Sequence, residues 1–161
     1  MIIKESYFDQ SSELHGVMHT YRVMYLILKI GSMLDKPQET EIAFNAAFIH
    51  DMARRSDNTD PRHGVRAARY KTHLLNLDKE DVEIAKKIVI NHCESKDLPV
   101  NDKCYLASAI LKDADALDAI RIGSHRRLRL DVSKELITTA KELYLCTKQI
   151  CTTEQEINFV L

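Results

Sequence analysis

Apolar residues occupy nearly every position from 17 to 34 (Val17, Met18, Tyr21, Val23, Met24, Leu26, Ile27, Leu28, Ile30). That density predicts a helix buried on several sides, which Asp35, Lys36 and Pro37 break. A second buried helix is predicted from 38 to about 54, on Ile42, Ala43, Ala46, Ala47, Phe48 and Ile49. Ser56 to Pro61 reads as a polar loop, and helical spacing returns over 63–76. Asp78 is an expected N-cap for a helix running to about Cys93, followed by a loop from Glu94 to Asn101. A long helix is predicted from about Asp102 to Ile122, ending at Gly123, and a last one from near Ser133 on Leu136, Ile137, Ala140, Leu143, Tyr144 and Ile150. Phe159, Val160 and Leu161 close the chain without a polar turn, so its end is expected inside a packed helix. No segment alternates with the period of two that a half-buried strand requires, and no repeat is present. The expected architecture is all-α, with six or seven helices.

Length and charge narrow the class. A chain of 161 residues is the size of one domain, here taken as 1–161. With 23 basic and 24 acidic residues it has no long-range positive field with which to coat nucleic acid or anionic membrane. No apolar run nears the ~20 residues of a membrane span, and no signal-like segment opens the chain. The four glycines (Gly16, Gly31, Gly64, Gly123) lie far apart, which excludes a dinucleotide fingerprint and a P-loop. Cys93, Cys104, Cys146 and Cys151 form no CxxC pair; they are expected as reduced thiols of a cytoplasmic protein, serving as small core residues.

Chemistry concentrates where charge conflicts with apolar surroundings. His50 and Asp51 end an alanine-rich helix, where a bare carboxylate is costly and faces the unfavourable end of the helix dipole. Asp113, Asp115 and Asp118 crowd the end of a helix that also carries Leu106, Ala109, Ile110 and Leu111. Asp115 and Asp118, three apart, share one stripe. His19 lies within the first buried helix, one turn from Arg22. Either a bound metal ion resolves these conflicts, or Arg22, Arg54 and Arg121 neutralise the acids as ion pairs.

Four motifs in order carry a resemblance. They are His15-Gly16-Val17-Met18-His19-Thr20-Tyr21-Arg22-Val23, Ala46-Ala47-Phe48-Ile49-His50-Asp51, Asp60-Pro61-Arg62-His63-Gly64, and Leu111 to Ile120 with its Asp-Ala-Asp-Ala-Leu-Asp core. Over residues 15 to about 123 the sequence resembles the HD superfamily of metal-dependent phosphohydrolases; residues 124–161 carry no motif. The resemblance implies metal ligation by His19, His50, Asp51 and Asp115. The Gly-Tyr-Pro signature of the cyclic dinucleotide phosphodiesterases is absent, since no glycine lies between Gly64 and Gly123.

Two histidines and two aspartates cancel one divalent ion and leave little attraction for phosphate. Either arginine or a second metal supplies the missing charge. The resemblance implies two possible tasks for His63 and His92: holding a second metal with Asp51 as bridge, as in binuclear members of the family, or contacting substrate phosphate, as in mononuclear ones. The expected reaction is hydrolysis of a phosphoester or phosphoanhydride, of a nucleotide in the first instance, by metal-activated water. One or two divalent transition-metal ions (iron, manganese, cobalt, nickel or zinc) suit the mixed ligand set better than magnesium. Arg22 is expected to meet phosphoryl charge, and Asp118 to orient the water or to support a ligating histidine. The cluster Arg121, His125, Arg126, Arg127 and Arg129 reads as a solvated face or a contact for nucleotide phosphate or base. His15 is expected to bond at a helix start, and His73 and His125 to lie on the surface. Two other outcomes of the same fold are a mixed-valent di-iron oxygenase and a non-catalytic module that binds a nucleotide or partner. Oligomerisation through the apolar last helix is open.

Overall fold

The computed structural model of the protein describes residues 2–124, 126–131 and 134–151. Six α-helices and no strand are found among the described residues: α1 (Val17–Leu34), α2 (Pro37–Ile49), α3 (His63–Tyr70), α4 (Lys79–His92), α5 (Tyr105–Asp118) and α6 (Lys134–Cys151). The all-α expectation holds. None of the helices is long and apolar enough to cross a membrane. His125, Ser133 and the chain end at Phe159–Leu161, on which expectations were placed, lie outside the described residues.

Local chemistry sets most boundaries. Asp35 takes a left-handed conformation (φ 51°) after α1, and Pro37 starts α2 with its backbone preset. Asp78 caps α4 as expected, its carboxylate accepting the Asp81 amide at 2.9 Å. The last stretch of the predicted long helix tightens into a 3₁₀ turn, Ala119–Ile122, which Gly123 closes at φ 74°. The clearest departure is at α2, which ends at Ile49 rather than near 54. The amides of His50, Met52 and Arg54 bond three residues back, to Ala47, Ile49 and Asp51, in successive tight turns. His50 and Asp51 therefore sit on a compact coil beyond the helix end.

α1, α2 and α5 form the centre, with α4 against α2 and α5, α3 against α4, and α6 against α1 and α5. Leu26, Ile27, Ile30, Ile49, Met52, Ile88, Ile110, Leu111 and Leu117 are fully buried between them. α1 and α2 meet closely at Gly31, where any Cβ would stand 1.9 Å from Thr40 Oγ1. Buried among these apolar contacts are His19, Arg22, His50, Asp51, His63, Asp113 and Asp118. The helices converge on this polar cluster.

Candidate metal centre

Five elements each contribute to the cluster: α1 gives His19, the coil after α2 gives His50 and Asp51, α3 begins with His63, α4 ends with His92, and α5 carries Asp115 and Asp118. His19 Nε2 lies 3.2 Å from His50 Nε2, 3.4 Å from Asp51 Oδ2 and 3.5 Å from Asp115 Oδ1. His50 Nε2 is 3.7 Å from Asp51 Oδ2. On the other side of the same carboxylate, Asp51 Oδ1 lies 3.0 Å from His63 Nε2 and 3.6 Å from His92 Nε2, and these two nitrogens are 2.9 Å apart. Asp51 thus turns one oxygen to each of two adjacent groups of donors.

The ring nitrogens that face outward fix the tautomers. His50, His63 and His92 each donate Nδ1–H to a carbonyl three residues back, of Ala47 (2.6 Å), Asp60 (2.5 Å) and Val89 (2.5 Å). His19 directs Nδ1 to Asp118 Oδ2 at 2.7 Å. A carbonyl oxygen can only accept, so the Nδ1 proton is spent and each Nε2 offers a lone pair inward. Lone pairs facing one another at 2.9–3.2 Å repel unless a cation stands between them. Ligands about 2.1 Å from one ion lie roughly 3.0 Å apart in octahedral and 3.4 Å apart in tetrahedral arrangements. The donor set fits divalent metal ions on both counts.

The titration behaviour has the same origin. Burial disfavours charge on His19, yet Asp118 and Asp51 outweigh it and raise the group to about 9. Against the same burial, Asp51 and Cys93 raise His63 to about 9 and His92 to about 10. His50, fully buried, is pushed down to about 3. Burial would raise Asp51, but His50 and the bonds from His15, His19 and His63 hold it well below the usual carboxylate range. The cluster attracts positive charge, and protons on three imidazoles supply it wherever a metal does not.

Asp118 is only 1% exposed and faces away from the Nε2 groups. Besides His19 it binds Arg22 (Nε to Oδ1, 2.6 Å) and Arg121 (Nε to Oδ2, 2.9 Å). Of the two roles expected for it, this placement favours support of His19. Arg22, expected to meet phosphoryl charge, has its guanidinium, 4% exposed, engaged by Asp118 and Thr147 Oγ1 and close to the Tyr144 ring. Ion pairing with arginine thus accounts for part of the charge conflict. Arginines satisfy Asp118, and Arg54 Nε adds a bond to Asp51 Oδ1 at 3.0 Å. Asp113 belongs to neither group: it accepts the Arg129 and Leu130 amides and the Arg129 guanidinium, fastening the segment after α5.

The basic cluster is largely spent in the same way, with Arg121 on Asp118 and on the Leu14 carbonyl, Arg126 on Asp115 Oδ2 at 2.8 Å, and Arg129 on Asp97 and Asp113. Arg127 is exposed, as is His73. Two members of the site escaped the sequence reading. His15, expected to bond at a helix start in preference to acting as a ligand, sets Nδ1 2.9 Å from Asp51 Oδ2; its signal was its place one turn before His19. Cys93, expected as a core residue, has Sγ 3.2 Å from His63 Nε2. Burial would raise that thiol, but His63 and His92 bring it down to about 6. Its only signal was adjacency to His92.

The family model of the HD domain matches residues 16–120, more than half of the chain. The chain belongs to the HD-domain family. A crystal structure described as that of a predicted HD superfamily hydrolase, from an uncultured Thermotogales bacterium, shares the fold with a TM-score of 0.56. It is 23% identical, and the match covers 91% of this chain and 84% of that one. No curated protein matches the sequence.

Proposed function

We propose that this protein is a cytoplasmic metal-dependent phosphohydrolase acting on a small phosphoester or phosphoanhydride, with nucleotides as the first substrates to test. In this reading His19, His50, Asp51 and Asp115 hold one divalent transition-metal ion, and His63 and His92 hold a second that shares Asp51. Asp51 carries the assignment, because its two oxygens divide between two sets of inward Nε2 lone pairs. The convergence of the His63 and His92 Nε2 atoms on one Asp51 oxygen favours a second metal there over direct contact of these rings with substrate phosphate. Free thiols at Cys93, Cys104 and Cys146 accord with a reducing compartment.

Divalent ions bound there supply activated water near neutral pH and positive charge for phosphoryl oxygens. The chain's own residues fix orientation. Backbone carbonyls and Asp118 lock the rings of the four histidines, so their lone pairs need no reorganisation. The members of the cluster that reach solvent include His15, Arg54, Cys93 and Asp115, with Arg126, half exposed, paired to Asp115. Arg126 can exchange that carboxylate for a substrate phosphate, the role first expected of Arg22. The test is release of phosphate or pyrophosphate from phosphomonoesters, phosphodiesters and nucleoside triphosphates by protein loaded with manganese, iron(II), cobalt or nickel. Turnover abolished by Asp51→Asn is the expected result. Absence of metal-dependent turnover across the panel contradicts the proposal, and turnover that requires oxygen would assign the fold's oxygenase chemistry instead.

A further inference from the structure

We propose that Cys93 is a ligand of the second metal position, so that His63, His92, Cys93 and the shared Asp51 oxygen form a mixed nitrogen, sulfur and oxygen set. The inference rests on the reading of His63 and His92 as metal-holding residues. Cys93 Sγ lies 3.2 Å from His63 Nε2 and 3.7 Å from His92 Nε2, and the two nitrogens are 2.9 Å apart. A tetrahedral zinc-like ion with bonds of roughly 2.3 Å to sulfur and 2.0–2.1 Å to nitrogen sets S···N edges near 3.6 Å and N···N edges near 3.4 Å. The triangle of donor atoms matches to within about half an ångström.

The surroundings of the sulfur are built to hold it there. The Gly64 amide donates to Sγ at 3.1 Å, a bond that would favour and orient a thiolate. Only glycine permits that approach: a Cβ at position 64 would stand 2.5 Å from Sγ and 2.3 Å from the Val89 carbonyl. The missing side chain at Gly64 lets the first turn of α3 close onto the Val89 carbonyl and Cys93 Sγ at the end of α4.

Charge balance leads to the same residue. The first position draws on Asp115 and a share of Asp51, whereas the second, without sulfur, has neutral imidazoles and only the shared oxygen. A Cys93 thiolate evens the two, with total ligand charge −3 against +4 for two divalent ions, counted as two carboxylates and one thiolate. A net positive charge remains for phosphate. The second position then favours a thiophilic ion such as zinc over magnesium or manganese, while the first does not discriminate in this way.

Cobalt(II) titration of the full-length reduced protein, followed by absorption, tests the assignment without recourse to activity. Two equivalents are expected to bind, giving visible ligand-field bands together with a thiolate-to-cobalt charge-transfer band in the near ultraviolet. Cys93→Ser should keep the visible bands, lose the near-ultraviolet band and weaken one equivalent by roughly tenfold or more. Cys146→Ser, at an exposed position on α6, should retain it. Cobalt bound by the wild type without the near-ultraviolet band, or a band that persists in Cys93→Ser, overturns the role of Cys93 and leaves the His/Asp ligands standing. No uptake of cobalt at all overturns the metal reading with it.

Discussion

Replacing Asp118 by asparagine should both destabilise the fold and weaken metal binding, because this carboxylate serves two networks at once. It is 1% exposed and accepts from His19 Nδ1, Arg22 Nε and Arg121 Nε at 2.6–2.9 Å. An amide keeps the shape but loses the charge and one of the two acceptor oxygens. Two buried guanidiniums are then left without their anion. Removing one partner of such a buried pair typically costs about 3–5 kcal/mol. For a chain of this size each kcal/mol moves the midpoint by about 2–4 °C, so a fall of roughly 6–20 °C is expected. Separately, His19 loses the partner that fixes its tautomer, and disturbing such a support typically lowers metal affinity about 10- to 100-fold. Thermal denaturation of the metal-free variant reads the first effect, and competition with a chromophoric chelator reads the second. A midpoint within about 2 °C of wild type together with affinity within about twofold would show that Asp118 anchors neither network.

Asp113→Ala should separate structural from ligating acids: it leaves the Arg129 and Leu130 amides without their acceptor, destabilises by about 2–4 kcal/mol in chemical denaturation, and leaves metal content unchanged. Loading the metal-free protein at pH 7 should release protons, since His19, His63 and His92 titrate at about 9 to 10; an indicator dye follows the release, and uptake without it contradicts the ligand set. Those raised values also stabilise the metal-free fold, fully below the unfolded histidine pKa of about 6.5 and decreasingly as pH rises through 9 to 10, so its denaturation midpoint should fall over that range while metal affinity rises. Gly31→Ala should cost about 1–3 kcal/mol through the Thr40 clash, and Thr40→Ala should recover part of that loss; equal stability of Gly31→Ala and wild type would show that α1 and α2 are free to separate.

Elements whose causes are local were legible in the sequence. The boundaries of α1, the Asp78 cap and the Gly123 stop follow from a few adjacent residues, and each stands where expected. The overrun of α2 to 54 shows the limit of periodicity: His50 to Arg54 continue a helical pattern, while their amides bond three residues back in tight turns. Convergence of His19, His50, Asp51, Asp115, His63 and His92 was foreseen through motif order, because order along the chain survives folding. Partner choice among charges was not legible. Nothing local distinguishes Arg22, bound to buried Asp118, from the half-exposed Arg126, bound to Asp115. Asp113 lies two residues from Asp115 but points to the segment after α5, since alternate helix positions do not share a face. Cys93 is brought to His63 by the α3–α4 contact, and no spacing rule encodes that.

In the proposed site one carboxylate, Asp51, joins two metal positions. Elemental analysis of protein purified without added metal or chelator tests it, comparing wild type with the His63→Ala, His92→Ala double variant. About two ions per chain, falling to about one in the double variant, is the predicted result. About one ion in both proteins would contradict the second position, and no bound metal in the wild type, before or after incubation with divalent ions, would contradict the site as a whole.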